Sequence, residues 1–193
     1  MLGPAIALGG YLLGSISPGL ILAKRQGVDL REGGSGNVGA TNVGRVLGKR
    51  AGRQVLALDA AKGALPALVA RLALGPDDGW TAATGAAAAL GHCFPIWHGL
   101  RGGKGAATAA GVLLVLVPPA GIAGAATYVA LKKLTKRASV GSIGGALVGA
   151  GCTLALLGPA SPRTWMAGAL LGLVLVRHRD NLRRLARGEE PPS

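Results

Sequence analysis

The chain has 193 residues and half of them are apolar, yet it holds one Phe, two Tyr and three Trp beside 34 Gly. So few aromatic side chains with so much glycine exclude an ordinary soluble core and suit membrane helices whose backbones pack closely. The formal charge of +13 fits a nucleic-acid binder or a membrane protein, and the placement of Lys and Arg decides between them.

The first apolar run is Leu2–Ala23. Its positive residues, Lys24 and Arg25, follow it rather than precede it, so it does not read as a cleavable signal. A polar, glycine-rich segment leads to the run Val55–Leu74, in which Asp59 and Lys62 share one helical face. Ionisable residues at membrane depth usually pair and face the bundle, so these two read as a structural pair close to a site. The run Trp80–Trp97 follows, then Ala106–Pro118 and Pro119–Leu131. Each of this pair gives only about 20 Å of helix against a hydrocarbon core of about 30 Å. One merged span kinked at Pro118-Pro119 would put "RGGKG" and "KKLTKR" on opposite faces, so two short spans or a re-entrant pair are expected. Ser139–Leu157 and Trp165–Val176 complete the series.

With one crossing per run and the amino terminus outside, the segment Lys24–Arg53, Arg101, Lys104, the Lys132–Arg137 cluster and the tail Arg177–Arg187 lie inside. Of 21 Lys and Arg residues, only Arg163 then falls in an outer loop, with Lys62 and Arg71 within a span. This asymmetry follows the positive-inside rule. The expectation is an all-α integral membrane protein, a seven-transmembrane-helix bundle forming one domain over residues 1–193. Its carboxyl terminus and polar loops lie on the cytoplasmic side, and no nucleic acid is expected as a partner. Cys93 and Cys152 fall at different depths, so no disulfide is expected.

The inner loops carry phosphate-binding chemistry. "GGSGNVGATNVGR" (residues 33–45) matches the letters of GxGxxG, but it follows a membrane helix instead of the strand that a βαβ unit requires. Its glycines let backbone N–H groups converge on an anion, with Asn37, Thr41, Asn42 and Arg45 completing the coordination. "RGGKGAAT" (residues 101–108) places the Lys104 ammonium between glycines before a helix start, which favours anions without being a Walker A loop. His92, Cys93 and His98 match no standard zinc spacing, so neither a metal nor a cofactor is expected. Ser139 and Ser142 lie three apart at the mouth of a span, where Ser139 reads equally as a helix cap. His178 and Asn181 are three apart in the tail, which otherwise reads as a basic segment beside anionic lipid.

These segments, taken in order, resemble one family: the bacterial acyl-phosphate-dependent glycerol-3-phosphate acyltransferases, the PlsY family. "GSGNVGATNVGR" is similar to its first motif, "GHCFPIWHGLRGGKGAAT" to its second, "SVGSIGG" to its third, and "RHRDNLRRLARGEE" to its tail. Trp97 and Leu100-Arg101 depart conservatively from the usual Phe and Phe-Lys. The resemblance implies seven membrane helices in the bacterial cytoplasmic membrane. It also implies acyl transfer from acyl phosphate to the 1-hydroxyl of glycerol 3-phosphate, giving lysophosphatidic acid and phosphate. On it, Ser35, Gly36, Asn37, Thr41, Gly102 and Gly103 hold acyl phosphate, and Arg45, Lys104, Ser142, His178 and Asn181 hold glycerol 3-phosphate. Ser35, Asn37, Lys104, Ser142 and His178 form the catalytic set, and the acyl chain lies between helices towards membrane lipid. A monomer is compatible with this reading, which fixes no oligomeric state.

The chain lacks the His-x-x-x-x-Asp pair of the other major glycerol-phosphate acyltransferases: Trp97, Gly103 and Arg183 follow the three histidines at that spacing. An acyl phosphate is already activated, so a phosphate oxygen can take the hydroxyl proton while the protein positions and stabilises charge. His178 as general base is the alternative. Two other classes are compatible with basic inner loops, a transporter of phosphorylated metabolites and a lipid-binding scaffold. A transporter, however, concentrates its polar groups near the midplane.

Overall fold

The computed structural model describes residues 1–193 and is built of helices with no strand. The first apolar run is not one helix, as the hydropathy pattern had implied. It divides into α1 (Leu2–Gly14) and α2 (Pro18–Arg25). Pro18 opens α2 without an N–H to donate, and the Ser15 hydroxyl bonds back to the Tyr11 carbonyl at 2.9 Å. A short α3 (Ala40–Val46) precedes α4 (Lys49–Leu74), which starts well before the apolar run at Val55. α5 (Gly79–Cys93) ends four residues short of Trp97, and Ile96–His98 form a single 3-10 turn instead.

α6 (Ala106–Leu116) and α7 (Pro118–Thr135) are separate helices that fold back at Val117, whose φ of −143° and ψ of 72° are extended. The Pro118-Pro119 pair forces this break, because a helix cannot continue into two missing donors. α8 (Ala138–Leu157), α9 (Pro162–Arg177) and a terminal α10 (Arg179–Ala186) complete the chain. α10 was unforeseen as an element; its buried Asn181 docks it onto the bundle. The α8 cap is Arg137 rather than Ser139.

The helices pack through small residues. A Cβ on Gly63 would collide with the Thr108 carbonyl of α6, and one on Gly111 with the Ala60 carbonyl of α4. Both glycines are therefore required for the α4–α6 approach. The interior is filled by Val112, Leu113, Leu116, Ala120, Leu170 and Val174. The exterior is apolar: Leu58, Leu65 and Val69 of α4, Ile122 of α7, Leu154 and Leu156 of α8 and Trp165 of α9 are all exposed. Apolar side chains this numerous on the outside mark a surface made for lipid. Leu2–Arg25 and Ala138–Leu157 are each long and apolar enough to cross a membrane. Cys93 and Cys152 are free thiols.

Candidate functional site

At one end of the bundle, the glycine loop, the loop before α6, the start of α8, α10 and the terminal segment surround a cavity of about 800 Å³. Its deep wall is apolar, formed by Leu113, Ala146, Ala167, Leu170 and Leu171, and its mouth is polar.

The glycine loop is held by Asn42, which is 1% exposed. Its Oδ1 accepts the Ser35 N–H at 2.8 Å, and its Nδ2 donates to the carbonyls of Gly33 at 2.9 Å and Leu30 at 3.2 Å. Gly34 and Gly36 take positive φ values of 58° and 67°, which complete the turn. Asn37 Oδ1 accepts the Gly39 N–H at 2.9 Å and so leads the chain into α3. Ser35, Asn37, Thr41 and Arg45 all line the cavity, and Gly36 does not.

The second loop is pinned to its own base. The Gly103 N–H donates to the His92 carbonyl at 3.1 Å and the Gly102 N–H to the Cys93 carbonyl at 3.2 Å. Arg177 donates to the Gly102 and Gly103 carbonyls at 2.8 and 3.0 Å. Gly102 and Gly103 therefore shape the loop, beside the residues that line the cavity. Their N–H groups are already engaged within the loop. Lys104 does reach the cavity, and its Nζ donates to Asn181 Oδ1 at 2.6 Å. Burial lowers the Lys104 pKa to about 8; the Glu190 carboxylate opposes that fall, and Arg184, Arg45 and Arg177 reinforce it.

Ser142 lines the cavity from α8 and His178 from the α9–α10 junction. His178 is 3% exposed, and its Nδ1 lies 2.8 Å from the Val174 carbonyl. A carbonyl only accepts, so the proton sits on Nδ1 and Nε2 keeps its lone pair. Burial brings the His178 pKa down to about 4; the Val174 carbonyl opposes this and the Lys104 charge adds to it. The ring is neutral at neutral pH.

Glu190 was not foreseen. The terminal segment folds back so that Glu190 Oε1 accepts from Asn181 Nδ2 at 2.6 Å and from Ser139 Oγ at 2.8 Å, while Oε2 accepts from Arg184 Nε at 2.8 Å. Burial raises the Glu190 pKa, but the bonds from Asn181, Arg184 and Ser139 outweigh it and hold the carboxyl below its ordinary range. Arg137 donates to the Glu190 carbonyl and Arg45 to the Pro192 carbonyl, both at 2.9 Å. The only sequence signal was a Glu pair closing a basic tail. Asp59 and His92 also line the cavity.

An apolar exterior, an all-helical frame and a cavity with cationic and apolar walls define a helical membrane protein with a polar site at one end of its bundle. A family model described as glycerol-3-phosphate acyltransferase matches residues 4–188. The chain is 47% identical over 194 residues to the glycerol-3-phosphate acyltransferase of Anaeromyxobacter dehalogenans (strain 2CP-1 / ATCC BAA-258), covering 98% of this chain and 96% of that one. It is 49% identical over 187 residues to that of Myxococcus xanthus (strain DK1622), covering 96% and 97%. Among solved structures it is similar to PlsY (YgiH), an integral membrane glycerol 3-phosphate acyltransferase, in its glycerol 3-phosphate form. There the TM-score is 0.97 at 38% identity, covering 100% of this chain and 96% of that one. Against the lysophosphatidic acid form the TM-score is 0.93 at 37% identity, covering 100% and 95%. The chain belongs to the glycerol-3-phosphate acyltransferase family, and is an integral membrane protein.

Proposed function

We propose that the protein transfers a fatty acyl group from acyl phosphate to the 1-hydroxyl of glycerol 3-phosphate, giving lysophosphatidic acid and inorganic phosphate, the first acylation of phospholipid synthesis. The observation that carries this is the single cavity in which Ser35, Asn37, Thr41, Arg45, Lys104, Ser142, His178 and Asn181 meet, continuous with an apolar recess. One compartment thus suits two phosphates and one acyl chain.

The acyl phosphate head lies against Ser35, Asn37 and Thr41, with Gly36, Gly102 and Gly103 shaping the loops around it. Glycerol 3-phosphate lies against Arg45, Lys104, Ser142, His178 and Asn181. Its 1-hydroxyl oxygen bonds to the acyl carbonyl carbon, the bond from that carbon to the phosphate oxygen breaks, and the departing phosphate takes the hydroxyl proton. The acyl donor is already activated, so positioning and charge stabilisation supply the catalysis. His178 Nε2, neutral and unprotonated, accepts a hydrogen bond from the glycerol 2-hydroxyl and so orients the 1-hydroxyl, whose own proton stays free to pass to the departing phosphate.

The protein sits in the bacterial cytoplasmic membrane with seven crossings, α1–α2 counting as one, the amino terminus outside and the cavity mouth on the cytoplasmic side. The skewed distribution of Lys and Arg supports this orientation. The donor is tested by offering the purified protein acyl phosphate, acyl-CoA and acyl carrier protein in parallel. Lysophosphatidic acid should form only with acyl phosphate, and formation from acyl-CoA at a comparable rate would refute the donor assignment.

A further inference from the structure

Three buried polar groups at the cavity wall, Asp59 and His92 lining it and Lys62 beside them, have no role in the transfer described above. Asp59 Oδ1 on α4 lies 3.2 Å from Lys62 Nζ and 3.4 Å from His92 Nδ1 on α5. Lys62 also donates to the Ile16 carbonyl at 2.6 Å, in the break between α1 and α2. All three side chains are more than nine-tenths buried. Neither Asp59 Oδ1 nor His92 Nδ1 completes an aligned hydrogen bond, so the cluster is held by proximity and charge.

The far edge of the His92 ring meets Gly103. A Cβ built on Gly103 would collide with His92 Nε2, with Cε1 at 2.8 Å and Cδ2 at 3.2 Å, and the three nearest atoms all belong to that ring. The next residue in the chain is Lys104. Gly102 differs: a Cβ there would collide with the His92 carbonyl and come within 2.5 Å of Pro95 Cδ and 2.9 Å of the Cys93 carbonyl, none of them the His92 ring.

We infer that His92, oriented by Asp59, is a positioning residue that fixes the Gly103 backbone and thereby the place of the Lys104 ammonium in the cavity, an inference that rests on the acyltransfer reading above. The Asp59 carboxylate favours the His92 tautomer with its proton on Nδ1, as a carboxylate does for an imidazole held against a site. Lys62 offsets the Asp59 charge. The ring is then clamped between α4 and the loop, and small shifts of such a clamp move reacting groups out of register.

The test is a steric exchange with turnover by acyl phosphate and glycerol 3-phosphate as readout. Gly103→Ala should lower kcat/KM for glycerol 3-phosphate by roughly tenfold to a hundredfold, since the new methyl pushes the loop off the ring. Adding His92→Ala, or His92→Asn to retain a donor towards Asp59, should restore roughly tenfold of that loss. Neither His92 change should restore Gly102→Ala, whose obstruction is backbone and the Pro95 ring. Thermal midpoints in detergent, measured alongside, separate lost folding from lost register. Double variants no more active than Gly103→Ala alone, folded or unfolded, overturn the inference while leaving the acyltransfer reading intact. A wild-type preparation inactive with acyl phosphate refutes the acyltransfer reading itself.

Discussion

Lys104 Nζ donates to Asn181 Oδ1 at 2.6 Å across 77 residues of sequence. This bond joins the loop before α6 to the terminal helix. Asn181 in turn donates to Glu190, so one chain of polar groups runs from a cation of the cavity to the segment after α10.

Lys104→Met should raise KM for glycerol 3-phosphate by at least about a hundredfold, because the variant loses a charge-assisted contact to phosphate and leaves Asn181 Oδ1 unpaired. The wild type should also lose affinity on the alkaline side. With a pKa near 8, the ammonium is charged below that pH and deprotonates above it, so KM rises as pH passes through about 8. In Lys104→Arg this limb should vanish, which a KM profile from pH 6.5 to 9.5 will show.

For His178→Gln, kcat should fall by less than about a hundredfold while KM for glycerol 3-phosphate rises. A positioned general base contributes about 10²–10⁴-fold, so a larger loss in kcat at saturating substrate would instead make His178 the base. The wild-type His178 pKa of about 4 further predicts no acid limb from this ring between pH 5.5 and 7.5.

Asn42→Ala should be inactive or nearly so, and less stable by about 1–3 kcal/mol, although Asn42 serves the site by holding the glycine loop. Its amide makes three bonds to backbone, and truncation leaves the buried partners unsatisfied. Chemical denaturation in detergent measures the loss. Asn42→Asp should also fail, since a carboxylate cannot donate to the Gly33 and Leu30 carbonyls.

Glu190→Gln should lower the thermal midpoint at neutral pH and flatten its dependence on acid. The folded-state pKa of Glu190 lies below the ordinary value of 4.5. Its stabilisation is therefore present above that value and is lost as pH falls through the folded pKa. Thermal melts from pH 7 down to pH 3.5 should show a steeper decline for the wild type than for the variant.

The helical segments were legible wherever hydropathy changed sharply. The break at Val117 was announced by Pro118-Pro119, whereas the break after Gly14 was hidden because both sides of it are apolar. Arg45, Lys104 and Ser142 could be singled out because polar groups stand among glycines, and His178 and Asn181 because they lie three apart in a basic tail; grouping them into one site came from the family resemblance of the motifs taken in order. The structural duty of Gly102 and Gly103 could not, since it depends on where Arg177 and His92 reach in three dimensions. Glu190 was hidden for a similar reason: a carboxylate in a basic tail looks solvated until its partners Asn181, Ser139 and Arg184 are brought around it. The Asp59–His92 contact joins two helices and carries no local signature.

Acyl transfer itself is tested most directly by purified protein in detergent, supplied with acyl phosphate and glycerol 3-phosphate, with lysophosphatidic acid and inorganic phosphate followed together. The account predicts equimolar appearance of the two products, dependent on both substrates and, at glycerol 3-phosphate well below the wild-type KM, reduced by about a hundredfold in Lys104→Met. Phosphate release without lysophosphatidic acid, or no release beside glycerol 3-phosphate uptake in liposomes, would contradict it.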